Sequence, residues 1–270
     1  LDVGQTKKLS VTILPERMAG EKLTWASSDE SICTVTQEGV VKGVTVGTAT
    51  VSVKVRSGYT AYATIRVGLG GGDPESRSFG ECAELNETFS YDHLRYKVSG
   101  PGTLILLGRD QTSNETPKDV IIPTSISYKG KDWFVTTIGR RAFLSDRNLN
   151  SIVIPNSVKT IGTRAFWNCT WLKSITLPDS IEYICDRAFY SVDGAMGLRI
   201  PAKVKYIGNG AFEWSNLETA CLPDTLIEIG NEAFMNCMDL KEATIPDSVK
   251  AFGTGIFMEC KNLEYAELPN

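Results

Sequence analysis

Seven cysteines, a single histidine and a Ser-Ser-Asp cluster are the side chains with which this 270-residue chain could do covalent or metal chemistry. Their spacing argues against it. No two cysteines stand in the CxxC pairing that zinc sites use, and an odd count leaves at least one thiol outside any disulfide framework. Cys169, Cys237 and Cys260 share one recurring turn position, where a thiol serves as a small buried hydrophobe that plugs the turn. A Cys237–Cys260 bridge between neighbouring turns is conceivable, although parallel stacked side chains usually lack the dihedral for it. His93 has no second histidine to relay protons and reads as a surface residue. Ser27, Ser28 and Asp29 have the composition of a nucleophile cluster or cation site, but fit better as a turn closed by Asx-type hydrogen bonds. The sequence contains no GxSxG elbow, HExxH pair or P-loop. These residues imply a non-enzyme without metal or cofactor.

Charge narrows the partners. The chain carries 28 basic and 32 acidic side chains, a formal net charge of −4. Residues 1–68 are slightly basic and the remainder is acidic, so neither part has the basic stripe that binds phosphates. Nucleic acid and anionic membrane surfaces are therefore disfavoured. No run approaches the roughly 18 apolar residues of a membrane span. Leu1 opens on a strand-like segment without a signal-peptide pattern, as in a mature or trimmed product.

The elements that position these residues are set by repetition. From Val135 onward the chain repeats nearly the same pattern six times: Ile, Gly, two variable residues, Ala-Phe, a polar turn, a leucine and a short apolar strand closed by proline. The anchors Phe143, Phe166, Phe189, Phe212, Phe234 and Phe257 are spaced 23, 23, 23, 22 and 23 residues apart. Pro155, Pro178, Pro201, Pro223, Pro246 and Pro269 close the strands with the same step. A fixed period in the low twenties marks a solenoid, whose coils bury apolar side chains only by stacking on each other. In the second repeat, Val158 and Ile161 begin the coil, Gly162 permits the bend, and Ala165 and Phe166 point inward. Leu172, Ile175 and Leu177 then give the LxxLxL pattern of a leucine-rich-repeat strand, ended by Pro178.

Residues 1–67 read differently. Alternating apolar and polar residues give short strands at Lys8–Leu14, Leu23–Ser27, Ile32–Thr36, Val40–Val44, Gly47–Arg56 and Ala61–Val67, a small β-sandwich with Trp25 in its core. Val3-Gly4-Gln5-Thr6, Leu23-Thr24-Trp25-Ala26-Ser27-Ser28-Asp29, Thr34-Val35, Gly39-Val40-Val41-Lys42-Gly43 and Gly47-Thr48-Ala49 follow in an order that resembles the group-2 bacterial immunoglobulin-like domain. The strand that usually precedes Val-Gly-Gln is missing from this match. The resemblance implies a spacer on an exported protein. Residues 68–79, with Gly68-Leu69-Gly70-Gly71-Gly72, have the composition of a flexible linker, and no Lys-Ser/Thr pair follows that would make a phosphate loop. Residues 80–134 lack the repeat. Leu94, Tyr96 and Val98 alternate with Arg95 and Lys97, then Ser99-Gly100-Pro101-Gly102 turns into Leu104–Leu107, a β-hairpin suited to capping a solenoid at 135–270.

The repeats resemble the BspA-type leucine-rich repeats of bacterial surface antigens, with residues 80–269 as the widest extent of the likeness. The expected fold is mainly β: an immunoglobulin-like sandwich followed by a right-handed leucine-rich-repeat solenoid with a hairpin cap. Together the two resemblances imply an extracellular or surface-attached bacterial protein, with a host extracellular-matrix protein or surface glycan as partner. A purely structural stalk is the alternative. Six strands about 4.8 Å apart would span roughly 25–30 Å, with Ser151, Val153, Ser174, Thr176, Gly197, Arg199, Thr219, Cys221, Glu242, Thr244, Tyr265 and Glu267 pointing outward as ligand-contact candidates. Trp171, where other repeats carry Asn or Asp, is a further aromatic contact, and Cys221 should be an accessible free thiol. The third repeat, with Cys185 at the bend and Val192-Asp193-Gly194-Ala195-Met196-Gly197 as its turn, should be the least stable coil. Phe252 and Ile256 partly cap the last coil, whose apolar end invites weak self-association.

Overall fold

A computed structural model describes residues 1, 3–9, 23–45, 47–55, 60–67, 86–113, 115–195 and 197–269. The chain divides into two units, Leu1–Gly70 and Gly71–Asn270. The linker proposed at 68–79 and the first residues of the cap, 80–85, lie outside the described residues.

The described residues of the first unit form six strands: β1 Thr6–Lys8, β2 Leu23–Ser27, β3 Cys33–Val35, β4 Val40–Gly43, β5 Gly47–Val55 and β6 Thr60–Val67. They form two three-stranded sheets, ordered β1-β4-β3 and β2-β5-β6. Trp25, Cys33, Val41, Val51 and Val53 are buried between them, as strand alternation requires. Gly39 lies against the indole: its φ is +77°, and a Cβ there would fall 2.8 Å from Trp25 Cζ2. Asp29 closes the expected turn. Its Oδ1 accepts the Ser31 amide at 2.9 Å and hydroxyl at 2.6 Å, and these bonds hold the carboxyl below its usual range. Of the strand expected over Lys8–Leu14, Lys8 is the last residue of β1 and Leu9 lies outside it, while residues 10–14 lie outside the described set.

The described part of the second unit begins with an antiparallel meander, β7 Thr88–Tyr91, β8 Leu94–Gly100 and β9 Thr103–Arg109. After β10 Asp119–Ile121 comes a second hairpin, β11 Ser125–Tyr128 with β12 Lys131–Ile138. β12 pairs parallel with β9 on one side and with the first two-residue strand of the repeats, β14 Thr160–Ile161, on the other. One sheet therefore runs unbroken from the cap through β16 Tyr183–Ile184, β17 Tyr206–Ile207, β19 Glu228–Ile229 and β21 Ala251–Phe252. Arg109 fastens the cap to the first coil: it pairs with Asp146 and donates from Nη1 to the Pro117 carbonyl at 2.8 Å.

The phenylalanines form a continuous column. Phe143, Phe166, Phe189, Phe212 and Phe234 are fully buried, and Phe257 is half-buried at the last coil. Successive rings lie 5.2–5.6 Å apart, nearly parallel except at the final pair. Around each ring the main chain makes an arch. Residues two before and two after the phenylalanine are left-handed: Arg141 and Ser145, Arg164 and Asn168, Arg187 and Ser191, Gly210 and Trp214, Glu232 and Asn236, Gly255 and Glu259. Alternate amides of each arch point to the next coil. Arg141, Phe143 and Ser145 donate to the carbonyls of Thr163, Ala165 and Trp167 at 3.0, 2.8 and 2.7 Å, and the pattern recurs at every later junction. The intervening amides close turns within the coil, such as Leu144 to Arg141 at 3.1 Å, so the buried donors are paired.

The bend glycines answer to close approach. A Cβ on Gly162, Gly208, Gly230 or Gly253 would come within 2.8 Å or less of main-chain atoms in the preceding coil, although none of the four has positive φ. The expectation that Gly162 supplies backbone freedom is thus replaced by a steric reason. The shared cysteines do more than fill space: Cys169 donates to Phe143 O at 2.9 Å, Cys237 to Phe212 O at 3.1 Å and Cys260 to Phe234 O at 3.0 Å. All three are free thiols, and burial pushes the Cys169 thiol up to about 12.

Among the described residues, no helix is long and apolar enough to cross a membrane.

Candidate binding face

The LxxLxL strands make the second face of the solenoid, and it is interrupted. β13 Ser151–Val153 and β15 Ser174–Thr176 form one parallel sheet with β10 of the cap. β18 Thr219–Cys221, β20 Glu242–Thr244 and β22 Tyr265–Glu267 form another. The strand expected at 197–199 does not form. A 3-10 turn, Asp193–Ala195, replaces the repeat's usual turn, and its Gly194 lies against the second coil, where a Cβ would meet Leu172 O at 2.1 Å. Leu198 and Ile200 are still buried, but no ladder joins this segment to either neighbour. A row of six repeat strands is therefore corrected to two groups of three, the first of which borrows a strand from the cap.

Register sets the outward side chains in columns. Asp119, Ser151 and Ser174 share one row, and Ile121, Val153 and Thr176 the next. Across the interruption, Thr219, Glu242 and Tyr265 align, as do Cys221, Thr244 and Glu267. Val153, Thr176, Gly197, Arg199, Thr219, Cys221, Glu242, Tyr265 and Glu267 are exposed. Ser151 and Thr244 are only half-buried positions rather than open ones. Ser151 Oγ is committed to Asp119, donating to Oδ1 at 2.6 Å, while Asn150 Nδ2 donates to the same oxygen at 2.9 Å. These two bonds hold the Asp119 carboxyl below its usual range. The side chain of Ser174 lies outside the described set. Trp171 is 64% exposed, yet it sits in the turn before β15 and belongs to no strand.

Two features escaped the sequence reading. Ile121, 66% exposed, extends the face onto the cap beside Val153, at 56%. The Val120-Ile121-Ile122-Pro123 run already had the repeats' strand-proline ending, which was the available signal. The other is a recess of about 380 Å³ at the interruption, lined by Asn156, Thr176, Pro178, Asp179, Gly197 and Arg199 over Ile175, Leu177 and Pro201. The described residues hold no cluster of His, Cys, Asp or Glu able to bind a metal ion.

On the arch side, Trp167 stacks on Tyr190 with centroids 5.6 Å apart. The next residue in that column is Glu213, whose carboxylate is largely buried, 4.0 Å from Arg187 Nε, with Oε2 making no hydrogen bond. Burial raises its pKa, with Arg187 opposing and Glu232 adding to the rise.

Stacked parallel coils with an LxxLxL strand and an Ala-Phe arch define a leucine-rich-repeat solenoid. The chain carries BspA-type leucine-rich repeats, matched in six copies over residues 136–264, and a group-2 bacterial Ig-like domain, matched over residues 1–65. Among solved structures, a leucine-rich repeat protein from Bacteroides ovatus is 33% identical with a TM-score of 0.59, covering 67% of this chain and 47% of its own. The T. pallidum leucine-rich repeat protein is 28% identical with a TM-score of 0.58, covering 68% of this chain and 84% of its own. A curated relative, 3-O-alpha-D-galactosyl-alpha-L-arabinofuranosidase of Bifidobacterium longum subsp. longum, is 44% identical over 52 residues, 19% of this chain. That match spans 5% of the enzyme's length.

Proposed function

We propose that the protein is a non-enzymatic adhesion module, secreted or held at a bacterial surface, whose LxxLxL face engages an extracellular protein or glycan while the Ig-like domain acts as spacer. The observation that carries this reading is the exposed apolar pair Ile121 and Val153, adjacent in register on a face whose inward positions are buried from β10 through β20. Buried positions of a solenoid are constrained by stacking, so the outward positions are where chemistry can vary. Contiguous apolar residues on such a face cost nothing if a partner covers them and invite aggregation if none does. Val153, Thr176, Arg199, Thr219, Cys221, Glu242, Tyr265 and Glu267 are the contact candidates, with Trp171 as a contact at the rim.

The test is capture on arrays of extracellular-matrix proteins and glycans, comparing the wild-type chain with Val153→Glu and Tyr265→Ala at matched thermal stability. Both substitutions should reduce capture at least tenfold. No capture at micromolar concentration would favour a stalk without its own ligand.

A further inference from the structure

We propose that the recess where the face is interrupted is a subsite for a single acidic sugar residue, with Arg199 receiving its carboxylate. This rests on the binding-face reading above and names a ligand class for one part of it.

The recess exists because of the third repeat's departures. With no ladder at Leu198–Ile200, the outer edge of β15 has no strand beside it. Gly197 stands where the other coils carry an outward side chain, such as Ser151, Glu242 or Tyr265. Its φ is +72°, and a Cβ built on it meets nothing within 4 Å, so the space above it is open. The resulting volume of about 380 Å³ is at the small end of the roughly 300–1,000 Å³ of ligand sites, room for a single sugar ring.

The chemistry of the lining selects the ligand. Arg199 is the only cation among the twelve outward strand positions, it is exposed, and among the described residues no ion pair or hydrogen bond engages its guanidinium. A guanidinium offers planar paired donors that match a carboxylate. Asn156, Thr176 and Asp179 add an amide, a hydroxyl and an acceptor around the same space, and Pro178 and Pro201 supply apolar surface. One cation beside one anion does not suit a polyanion. Asp179 would repel a run of acidic side chains or a sulfated chain, as would Glu242 and Glu267 farther along the face and the net charge of −4. A ring bearing one carboxylate and several hydroxyls fits the set: its acid faces Arg199, and its hydroxyls donate to Asp179 and exchange hydrogen bonds with Asn156 and Thr176.

Calorimetric and NMR titrations of the full chain test this with glucuronate, sialyllactose, their neutral counterparts glucose and lactose, and an acidic hexapeptide. At least one acidic sugar should bind saturably in the millimolar range, with the neutral sugar at least tenfold weaker. Arg199→Gln should reduce that binding at least tenfold and Arg199→Lys less, because the charge remains while the paired donors go. Lys250→Gln, which removes an exposed cation outside the face, should leave it unchanged. Equal binding of neutral and acidic sugars, preferential binding of the peptide, or indifference to Arg199→Gln would each overturn the subsite. Array capture that depends on Tyr265 and Val153 but not on Arg199, with no acidic-sugar binding, would sink the subsite and leave the face reading standing. Failure of both assays would sink both.

Discussion

The two sides of each coil obey different rules. On the arch side, three main-chain bonds and one ring stack recur at all five junctions between repeats, and the third coil conforms as well as any other. On the strand side, the third coil keeps its buried leucine and isoleucine but loses its ladder. Phe189 and Arg199 belong to the same turn of the solenoid, one in a column without exception and the other at a break. The contrast shows that a coil can be held by its arch and its second sheet alone, which frees its strand to depart from the pattern and open a recess.

The comparison can be broken most severely at the arch. Phe189→Ala removes a ring stacked 5.3 Å from both Phe166 and Phe212 and should cost about 3–5 kcal/mol in chemical denaturation. A loss below about 1 kcal/mol would mean that the arch is not what holds the third coil. Two glycines separate the sides next. Gly208→Ala places a methyl 2.5 Å from Asp186 N and should cost about 1–3 kcal/mol, the usual range for overpacking. Gly197→Ala, in open space, should lose only the left-handed backbone term of about 1 kcal/mol. Equal losses would erase the distinction.

Hydrogen exchange sharpens it further. The amides of Arg199 and Ile200 should exchange faster than those of Thr176 and Thr244, while Phe189, bonded to Ala211 O at 2.8 Å, stays protected. Uniform protection along the strand face would contradict the interruption. The smallest effect is expected at Glu213. Its folded pKa is raised, so the unfolded carboxyl ionises first as pH climbs, and stability falls between the ordinary value of 4.5 and the higher folded one. Glu213→Gln should flatten the melting temperature across that window and leave it unchanged or higher at neutral pH. A melting curve that retains the same slope in the variant would assign the pH dependence to other groups.

The arch column was legible because its anchors are unusual and evenly spaced: a phenylalanine every 22 or 23 residues, preceded by alanine in five of the six copies, leaves few alternatives. Its left-handed positions were not. Before the phenylalanine only Gly210 and Gly255 advertise positive φ, and after it only Asn168 and Asn236; Arg141, Arg164, Arg187 and Glu232 give no hint of it. The strand face was misread at one coil for a related reason. Leu198 and Ile200 alternate as a strand should, and alternation reports which side chains are buried, not whether the main chain is paired. The odd turn at Val192–Gly197 was visible, but its consequence depended on how Gly194 packs against Leu172, a contact between residues 22 apart. Cys221 shows the converse case: its outward place followed from register alone, and it is exposed.

The arch bonds join backbone to backbone and never consult the side chains that face outward. A duplicated coil would therefore be accepted wherever it landed, and a deleted one would leave its former neighbours able to clasp each other. The Ala-Phe turn works as a universal coupling: the length of the array and the message written on its far side can evolve as separate quantities.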